Sequence, residues 1–341
     1  MPVVTDRGLW GRYAPGRGFD RPLRIGLVNN MPDSALESTE RQFRAVLATA
    51  ATDRQIELSL YALPGVPRGE AGEHHLLDQR YRDFSELRHA QLDGLIVTGT
   101  EPKLPDLREE PYWGAMAQLF DWIAQNGPPT IFSCLASHAA VLHYDGIERR
   151  RLPEKRFGVF EHGVVCTHEL TQTLAPVVRI AHSRWNEVSA DALEARGYQV
   201  LTYSREAGVD LFVKRKRNLL LFFQGHPEYD PLSLWREHKR DVRRFLTNEM
   251  DVYPLMPVGY FSERELDELT RFRDRAHAER NLETMRDFPS SMGRSAGTSE
   301  RRGSAIGVFR VWLHQIAQTG IAWSFHSEGR GEARTAGLRG S

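Results

Sequence analysis

Cys134, one of only two cysteines in the chain, stands where the apolar run Thr130-Ile131-Phe132-Ser133 gives way to the small-residue stretch Leu135-Ala136-Ser137-His138-Ala139-Ala140. A thiol at such a strand-to-helix turn sits near the positive end of the helix dipole, which favours thiolate over thiol and makes the residue a candidate nucleophile. Backbone N–H groups at the helix start, beginning with that of Leu135, can then hold an oxyanion. Taken alone, a cysteine here is equally compatible with plain apolar packing. What separates the two readings is a base elsewhere in the chain. Gly225-His226-Pro227-Glu228 follows a second apolar run, Leu219 to Gln224, and sets an imidazole and a carboxylate two residues apart. Within reach of Cys134, His226 would accept its proton, while Glu228 would orient the ring and stabilise the imidazolium.

The elements that must bring these groups together show in the apolar pattern. Leu23 to Val28 reads as a buried strand closed by Asn29-Asn30-Met31-Pro32-Asp33, with Asp33 or Ser34 capping a helix over residues 34–51. A strand over 55–62, a largely helical stretch over 74–90, a strand from Leu92 to Gly99 and a helix over 112–125 follow, then the Cys134 strand and its helix up to His143. Strands alternating with helices predict an α/β fold with a mostly parallel sheet flanked by helices. Ligands of such sheets bind at the carboxyl ends of the strands, where Cys134 and the Thr98-Gly99-Thr100 loop both fall. The second half is richer in strands, at 158–166 and 198–203 and in a hairpin of 210–214 with 219–224 around the basic turn Lys214-Arg215-Lys216-Arg217. Helices are expected over 231–246, 263–287 (highly charged) and 305–317 (amphipathic, docking back). Residues 1–22 read as an irregular arm, 23–325 as one domain with a charged helical insertion near 263–303, and 326–341 as a disordered tail.

Composition narrows the function classes. With 45 basic and 45 acidic residues in 341, the chain offers no global field for nucleic acid or an anionic membrane, so an anionic ligand must be held by local charges. Two cysteines make neither a disulfide framework nor a multi-cysteine metal site, which suits a reducing cytoplasm. No apolar run approaches the roughly 20 residues of a membrane span, and the first residues lack the pattern of a secretory signal. The 13 histidines show no paired helical spacing of a zinc site, and no glycine-rich phosphate loop is present, so no metal and no permanently bound cofactor is expected.

The segments 29–43, 92–113, 132–142, 154–162, 181–185 and 225–230 resemble the homoserine O-acyltransferases of the homoserine trans-succinylase type, which are built on the class I glutamine-amidotransferase fold, a flavodoxin-like three-layer arrangement. The similarity runs from about Leu23 to Tyr260, with a weaker echo at 302–313. Its specificity lies in the combination of Pro153-Glu154-Lys155 through Gly158-Val159 to Glu161-His162 with His182-Ser183-Arg184-Trp185 and Gly225-His226-Pro227-Glu228-Tyr229-Asp230. The resemblance implies a cytoplasmic enzyme of methionine biosynthesis, typically a homodimer. Its expected chemistry is a ping-pong transfer: Cys134 takes the acyl group of an acyl-CoA, succinyl-CoA being favoured, and passes it to the hydroxyl of L-homoserine. His226 serves as the base and Glu228 as its brace. The resemblance further implies that Lys155, Ser183, Arg184 and Arg240 bind the amino acid. A guanidinium fork at Arg184 or Arg240 suits its carboxylate. Leu135, Gly99, Thr100 and Lys103 would form the oxyanion and acyl pocket.

Two departures from the related patterns carry information. Amidotransferases place glycine two residues either side of the cysteine, whereas this chain has Phe132 and Ala136, which argues against glutamine hydrolysis. Lys103 occupies the position that helps choose the acyl donor, where relatives carry a small residue for succinyl or a glutamate for acetyl. Lysine could pair with the free carboxylate of a succinyl group, or its stem could fill the pocket and leave room only for acetyl. An acetyltransferase, one acting on serine, and a cysteine hydrolase or amidase are the competing readings, with a non-catalytic binding module further off. His138, one helical turn past Cys134, could face the same side. Cys166 reads as a spectator in a strand, and the chemistry of His162 is left open.

Overall fold

A computed structural model describes residues 3–5, 21–52, 54–289 and 305–318. Twelve strands and nine helices are assigned among them. The strands are β1 (Val3–Thr5), β2 (Leu23–Val28), β3 (Ile56–Tyr61), β4 (Gly94–Thr98), β5 (Thr130–Ser133), β6 (Arg150–Val164), β7 (Val177–Glu187), β8 (Gln199–Val200), β9 (Thr202–Ser204), β10 (Gly208–Val209), β11 (Leu211–Arg215) and β12 (Leu219–Phe223). The helices are α1 (Leu36–Ala50), α2 (Glu70–Asp78), α3 (Phe84–Leu87), α4 (Trp113–Gln125), α5 (Leu135–Asp145), α6 (Ala190–Glu194), α7 (Ser233–Leu246), α8 (Glu263–Ala278) and α9 (residues 305–318).

Eight strands form the main sheet in the order β1-β3-β2-β4-β5-β12-β11-β8. The first six run parallel, and the β11–β12 hairpin turns the sheet antiparallel at its far side. The central strands β4, β5 and β12 are buried at every residue because both faces are covered. Alternate residues feed different cores: Leu95, Val97 and Phe132 pack with α4 and α5, whereas Ile96 and Ile131 pack with α1 and α9. Phe309 and Trp312 of α9 lie in that second core, so the amphipathic stretch docks as its pattern predicts.

The arm expected to be irregular contributes a strand: β1 adds in parallel to the edge of β3, Val3 opposite Ile56. The stretch over 74–90 divides into α2 and α3, and a capping box of Asp83 with Glu86 starts the second. Asp33 does not cap the helix that follows it. Its carboxylate instead accepts the Gly69 N–H at 2.8 Å and pairs with Arg68, starting α2 from across space. The basic hairpin and the helix α7 form as read. The insertion is α8, begun by a Ser262–Glu265 capping box, and a 3-10 turn over Leu282–Asp287. Leu269, Phe272 and Ala276 of α8 pack against Val242, Phe245 and Leu246 of α7, so the insertion buttresses the helix that carries Arg240. Residues 290–303 of the expected loop and the tail over 326–341 lie outside the described residues.

A second, four-stranded sheet in the order β10-β9-β6-β7 is antiparallel. Its long β6–β7 ladder shifts register between Arg151 and Arg156. Sequence periodicity left β7 unmarked, and it is this strand that fixes the turn carrying His226.

Candidate active site

The carboxyl ends of β4, β5 and β12 lie side by side, and the candidate groups leave from them. Cys134 occupies the turn from β5 into α5 with φ 55° and ψ −117°, a left-handed backbone that a residue with a Cβ adopts only at a cost of roughly 1–3 kcal/mol. The Cys134 N–H is held by the Phe223 carbonyl at 2.8 Å, and Ser137 Oγ donates to the carbonyls of Phe132 and Phe223 at 2.9 and 2.8 Å. These bonds tie the strained turn to the neighbouring strand. Such an elbow holds the thiol at the head of α5, and Cys134 stays partly open to solvent.

His226 reaches the same place from the turn after β12. Its N–H donates to the Ala181 carbonyl of β7 at 2.9 Å, and the Gly225 N–H donates to Asp210 at 2.7 Å. Gly225 is required there, since a Cβ would lie 2.8 Å from the Ala181 oxygen and from the Asp210 carboxylate. The His226 ring is in hydrogen-bond contact with Cys134, and its Nδ1 lies 2.9 Å from Glu228 Oε1. Ser133, on the strand that ends at the cysteine, donates its hydroxyl to Glu228 Oε2 at 3.2 Å. Tyr229 stacks on the imidazole with ring centres 4.0 Å apart. Burial opposes charge on this ring, but Cys134 and Glu228 on either side outweigh it, and the His226 pKa stands well above its ordinary value. The predicted triad therefore assembles, with Ser133 and Tyr229 as supports that the sequence pattern did not single out.

Gln224, fully buried, locks the end of β12. It accepts from the Val188 N–H at 2.8 Å and from His138 Nε2 at 2.9 Å, and donates to the carbonyls of Val188 and Val209 at 3.0 and 2.8 Å. His138 thus faces Gln224, and desolvation drives its pKa down to about 3. It is a neutral structural donor.

The expected amino-acid ligands divide into two groups. Lys155, in the register break of β6, lies 3.6 Å from Glu237 and 3.8 Å from Asp241, both on α7. Ser183 Oγ donates to Glu237 at 2.5 Å, and the Tyr229 hydroxyl donates to the other oxygen of the same carboxylate. Arg240, half exposed, pairs with Asp241 at 2.8 Å and lies within electrostatic reach of Glu101 in the loop after β4. Glu237 is the hub of this cluster, and nothing in its sequence context marked it.

Arg184 does not join that cluster. Neighbours on a strand point to opposite faces, so Ser183 turns toward α7 and Arg184 turns inward. There its Nε donates to His182 at 3.2 Å and its terminal nitrogens donate to the carbonyls of Asn186, at 2.7 Å, and Ala207. Because His182 accepts at Nδ1, its Nε2 donates to His162 Nε2 at 3.3 Å, and the His162 Nδ1–H is left for the Phe160 carbonyl at 3.2 Å. Burial keeps both rings neutral, His182 well below its usual pKa and His162 at about 4. Desolvation also raises Asp210, whose Oδ2 has no hydrogen-bond partner, to about 6.

Around the thiol, Leu135 at the first position of α5 has an N–H without an intrahelical acceptor. Gly99 packs so closely on it that a Cβ there would lie 2.4 Å from Leu135 Cβ. The Gly99 N–H is already engaged by the Ser133 carbonyl at 3.2 Å, so it is less available to an oxyanion than expected, whereas that of Thr100 has no acceptor among the described residues. The Lys103 side chain is exposed, its backbone N–H held by Glu110 at 2.5 Å. It is therefore not enclosed, which removes the burial argument for its pairing with a succinyl carboxylate. Cys166 lies just past the end of β6, with Gln199 Nε2 at 2.8 Å. Among the described residues no group of three potential metal ligands occurs, and no helix is long and apolar enough to cross a membrane.

A family model described as homoserine O-succinyltransferase matches residues 17–284. The homoserine O-succinyltransferase of Rhodopseudomonas palustris is 46% identical over 304 residues, covering 87% of this chain and 89% of that protein. Those of Methylorubrum extorquens and Bradyrhizobium japonicum are 44% and 42% identical, over 92% and 86% of this chain and 92% and 90% of their own lengths. A solved glutamine amidotransferase from Thermotoga maritima is similar at 14% identity and a TM-score of 0.48, covering 87% of this chain and 99% of its own. On the family model and relatives this similar across nearly their whole length, the chain belongs to the homoserine O-succinyltransferase family.

Proposed function

We propose that this protein transfers a succinyl group from succinyl-CoA to the hydroxyl of L-homoserine by way of a thioester on Cys134. The observation that carries the reading is the cysteine at a strained elbow, in contact with an imidazole that is itself braced by Glu228. In the first half-reaction His226 takes the thiol proton and the sulfur attacks the thioester carbonyl. The N–H groups of Leu135 and Thr100 face the developing oxyanion. As the C–S bond to CoA breaks, His226 returns the proton to the departing thiolate. Homoserine then enters, His226 takes the proton of its hydroxyl, and the oxygen attacks the acyl-enzyme. Collapse releases O-succinylhomoserine and hands the proton back to Cys134.

Arg240 supplies the cation for the homoserine carboxylate, while Glu237 and Asp241 are the carboxylates available to its ammonium group. Lys155 and Ser183 hold Glu237 in place. Arg184, held by His182 and by the carbonyls of Asn186 and Ala207, positions the floor of the site. Lys103, exposed in the loop after β4, attracts the free carboxylate of succinyl from solvent. A cytosolic location suits these substrates.

The test is CoA release from succinyl-CoA and from acetyl-CoA, each with and without homoserine, together with intact-mass detection of a succinyl adduct on Cys134. Homoserine-dependent turnover that favours succinyl-CoA, with the adduct seen when homoserine is omitted, is the expected result. Full-rate release without homoserine would reassign the protein as a hydrolase, and a marked preference for acetyl-CoA would overturn the donor.

A further inference from the structure

The outward side of α7 forms a groove of about 600 Å³ with the 3-10 turn over Leu282–Asp287. Arg236, Lys239, Arg240 and Arg243 line it, spaced so that they share one helical face, and Arg286 faces them from the turn. In a chain whose formal charge is zero, five cations in one groove are a local concentration of one sign. Arg236 is paired with Asp230 and Arg240 with Asp241, each at 2.8 Å, and Arg286 has Glu283 at 3.9 Å. Lys239 and Arg243 have no carboxylate within 4 Å among the described residues. Lys239 and Arg243 are thus an i, i+4 pair of like charges, which weakens an isolated helix, and an anion in the groove would relieve their repulsion.

Trp235 adds an aromatic wall, with Lys239 Nζ 5.0 Å from its ring centre. The groove also shares Arg240 with the charged cluster that gathers Asp241 and Lys155. Arg240 interacts electrostatically with Glu101, which follows Thr100 in the loop after β4, and the next residue, Asp241, contacts Lys155. A ligand with several phosphates on the groove and a long uncharged arm past Arg240 would therefore deliver its far end toward Cys134.

We propose that this groove binds the 3′-phospho-ADP end of the acyl-CoA, with Lys239 and Arg243 on the phosphates and the Trp235 indole against the adenine. The proposal rests on the acyl-CoA reading above, and adds to it the place where the nucleotide is held. Phosphates demand cations or aligned N–H donors, and the chain has no phosphate loop to provide the latter. An open groove also suits the half of CoA that undergoes no reaction.

The experiment compares succinyl-CoA with succinyl-N-acetylcysteamine, a thioester that lacks the nucleotide, in the full chain and in Lys239→Gln/Arg243→Gln and Lys239→Glu/Arg243→Glu. The expected result is a fall of at least about tenfold in kcat/KM for succinyl-CoA in the charge-reversed variant, a smaller fall in the neutral one, and a change of less than about twofold for the short thioester. Adenosine 3′,5′-bisphosphate should compete with succinyl-CoA in the unsubstituted protein and quench tryptophan fluorescence, readouts that hold even where a variant fails to fold. Equal losses with both donors, no loss with either, or absence of competition would overturn the groove. Failure of the unsubstituted protein to acylate homoserine from either donor would instead overturn the proposed function, so the two failures are distinguishable.

Discussion

Replacing Glu228 by glutamine isolates the charge of the brace from its shape. Glu228 Oε1 faces His226 Nδ1 at 2.9 Å, and Oε2 receives the Ser133 hydroxyl at 3.2 Å, with the side chain almost wholly buried. A glutamine can seat its oxygen on Nδ1–H and turn its NH₂ toward Ser133, because a hydroxyl rotates to accept as readily as it donates. Ring orientation and tautomer are then kept, and what is lost is the difference between a charged and a neutral hydrogen bond, roughly 1–2 kcal/mol. That corresponds to a loss of roughly 5- to 30-fold in the rate of acyl-enzyme formation. The carboxylate is also one of the groups that raise the His226 pKa, so the limb of the pH–rate profile that reports this imidazole should move to lower pH. Adding Ser133→Ala leaves the new amide with a donor facing no acceptor, and the double variant should be slower than Glu228→Gln alone. The assay is the pre-steady-state release of CoA, measured from pH 5 to 9. A wild-type rate with an unmoved limb, or a double variant no slower than the single one, would show that Glu228 does not act through the imidazole.

Three further outcomes are expected. Cys134→Gly should abolish transfer yet raise the unfolding free energy by on the order of 1 kcal/mol, because the φ of 55° no longer opposes a Cβ; urea denaturation reads the change. Arg240→Ala should raise the KM for homoserine at least about tenfold while leaving the acylation half-reaction within about threefold, and an unchanged homoserine dependence would remove Arg240 from the carboxylate site. Stability should fall on acidification: His138, His162 and His238 are held neutral by burial, with pKa values of about 3, 4 and 4, and His182 well below its usual value, whereas in the unfolded chain all four protonate near 6.5. Depressed folded values mean that this stability is intact above pH 6.5 and is lost as pH falls toward 4, with a slope approaching about 5 kcal/mol per pH unit if all four act. Denaturation midpoints between pH 7 and 5 check this, and His138→Gln should remove about a quarter of the slope.

Local pattern carried much of the main sheet and the two ends of the chemistry. The runs at 23–28, 94–98, 130–133 and 219–223 are dominated by apolar residues without a strict alternation, because a strand covered on both faces buries neighbours as well as alternate positions. The Cys134 junction and the Gly225-His226-Pro227-Glu228 turn are likewise short-range features, complete within a few residues. The amphipathic stripe of residues 305–318 named its own docking face, although it did not say which strands it would cover.

What the sequence by itself determined was therefore which elements form, and that a thiol and a braced imidazole leave their carboxyl ends. Tertiary structure alone decided the company they keep. Ser133 meets Glu228 across 95 residues, His138 turns to Gln224 across 86, and Glu237 gathers Ser183 from 54 residues away. It also decided that Arg184 turns inward while its neighbour Ser183 faces α7, since the register of β7, not the identity of its residues, chooses the face each one takes. Periodicity reports only which side of an element is buried, whereas a hydrogen-bond partner is fixed by the packing of strands and helices far apart in the chain.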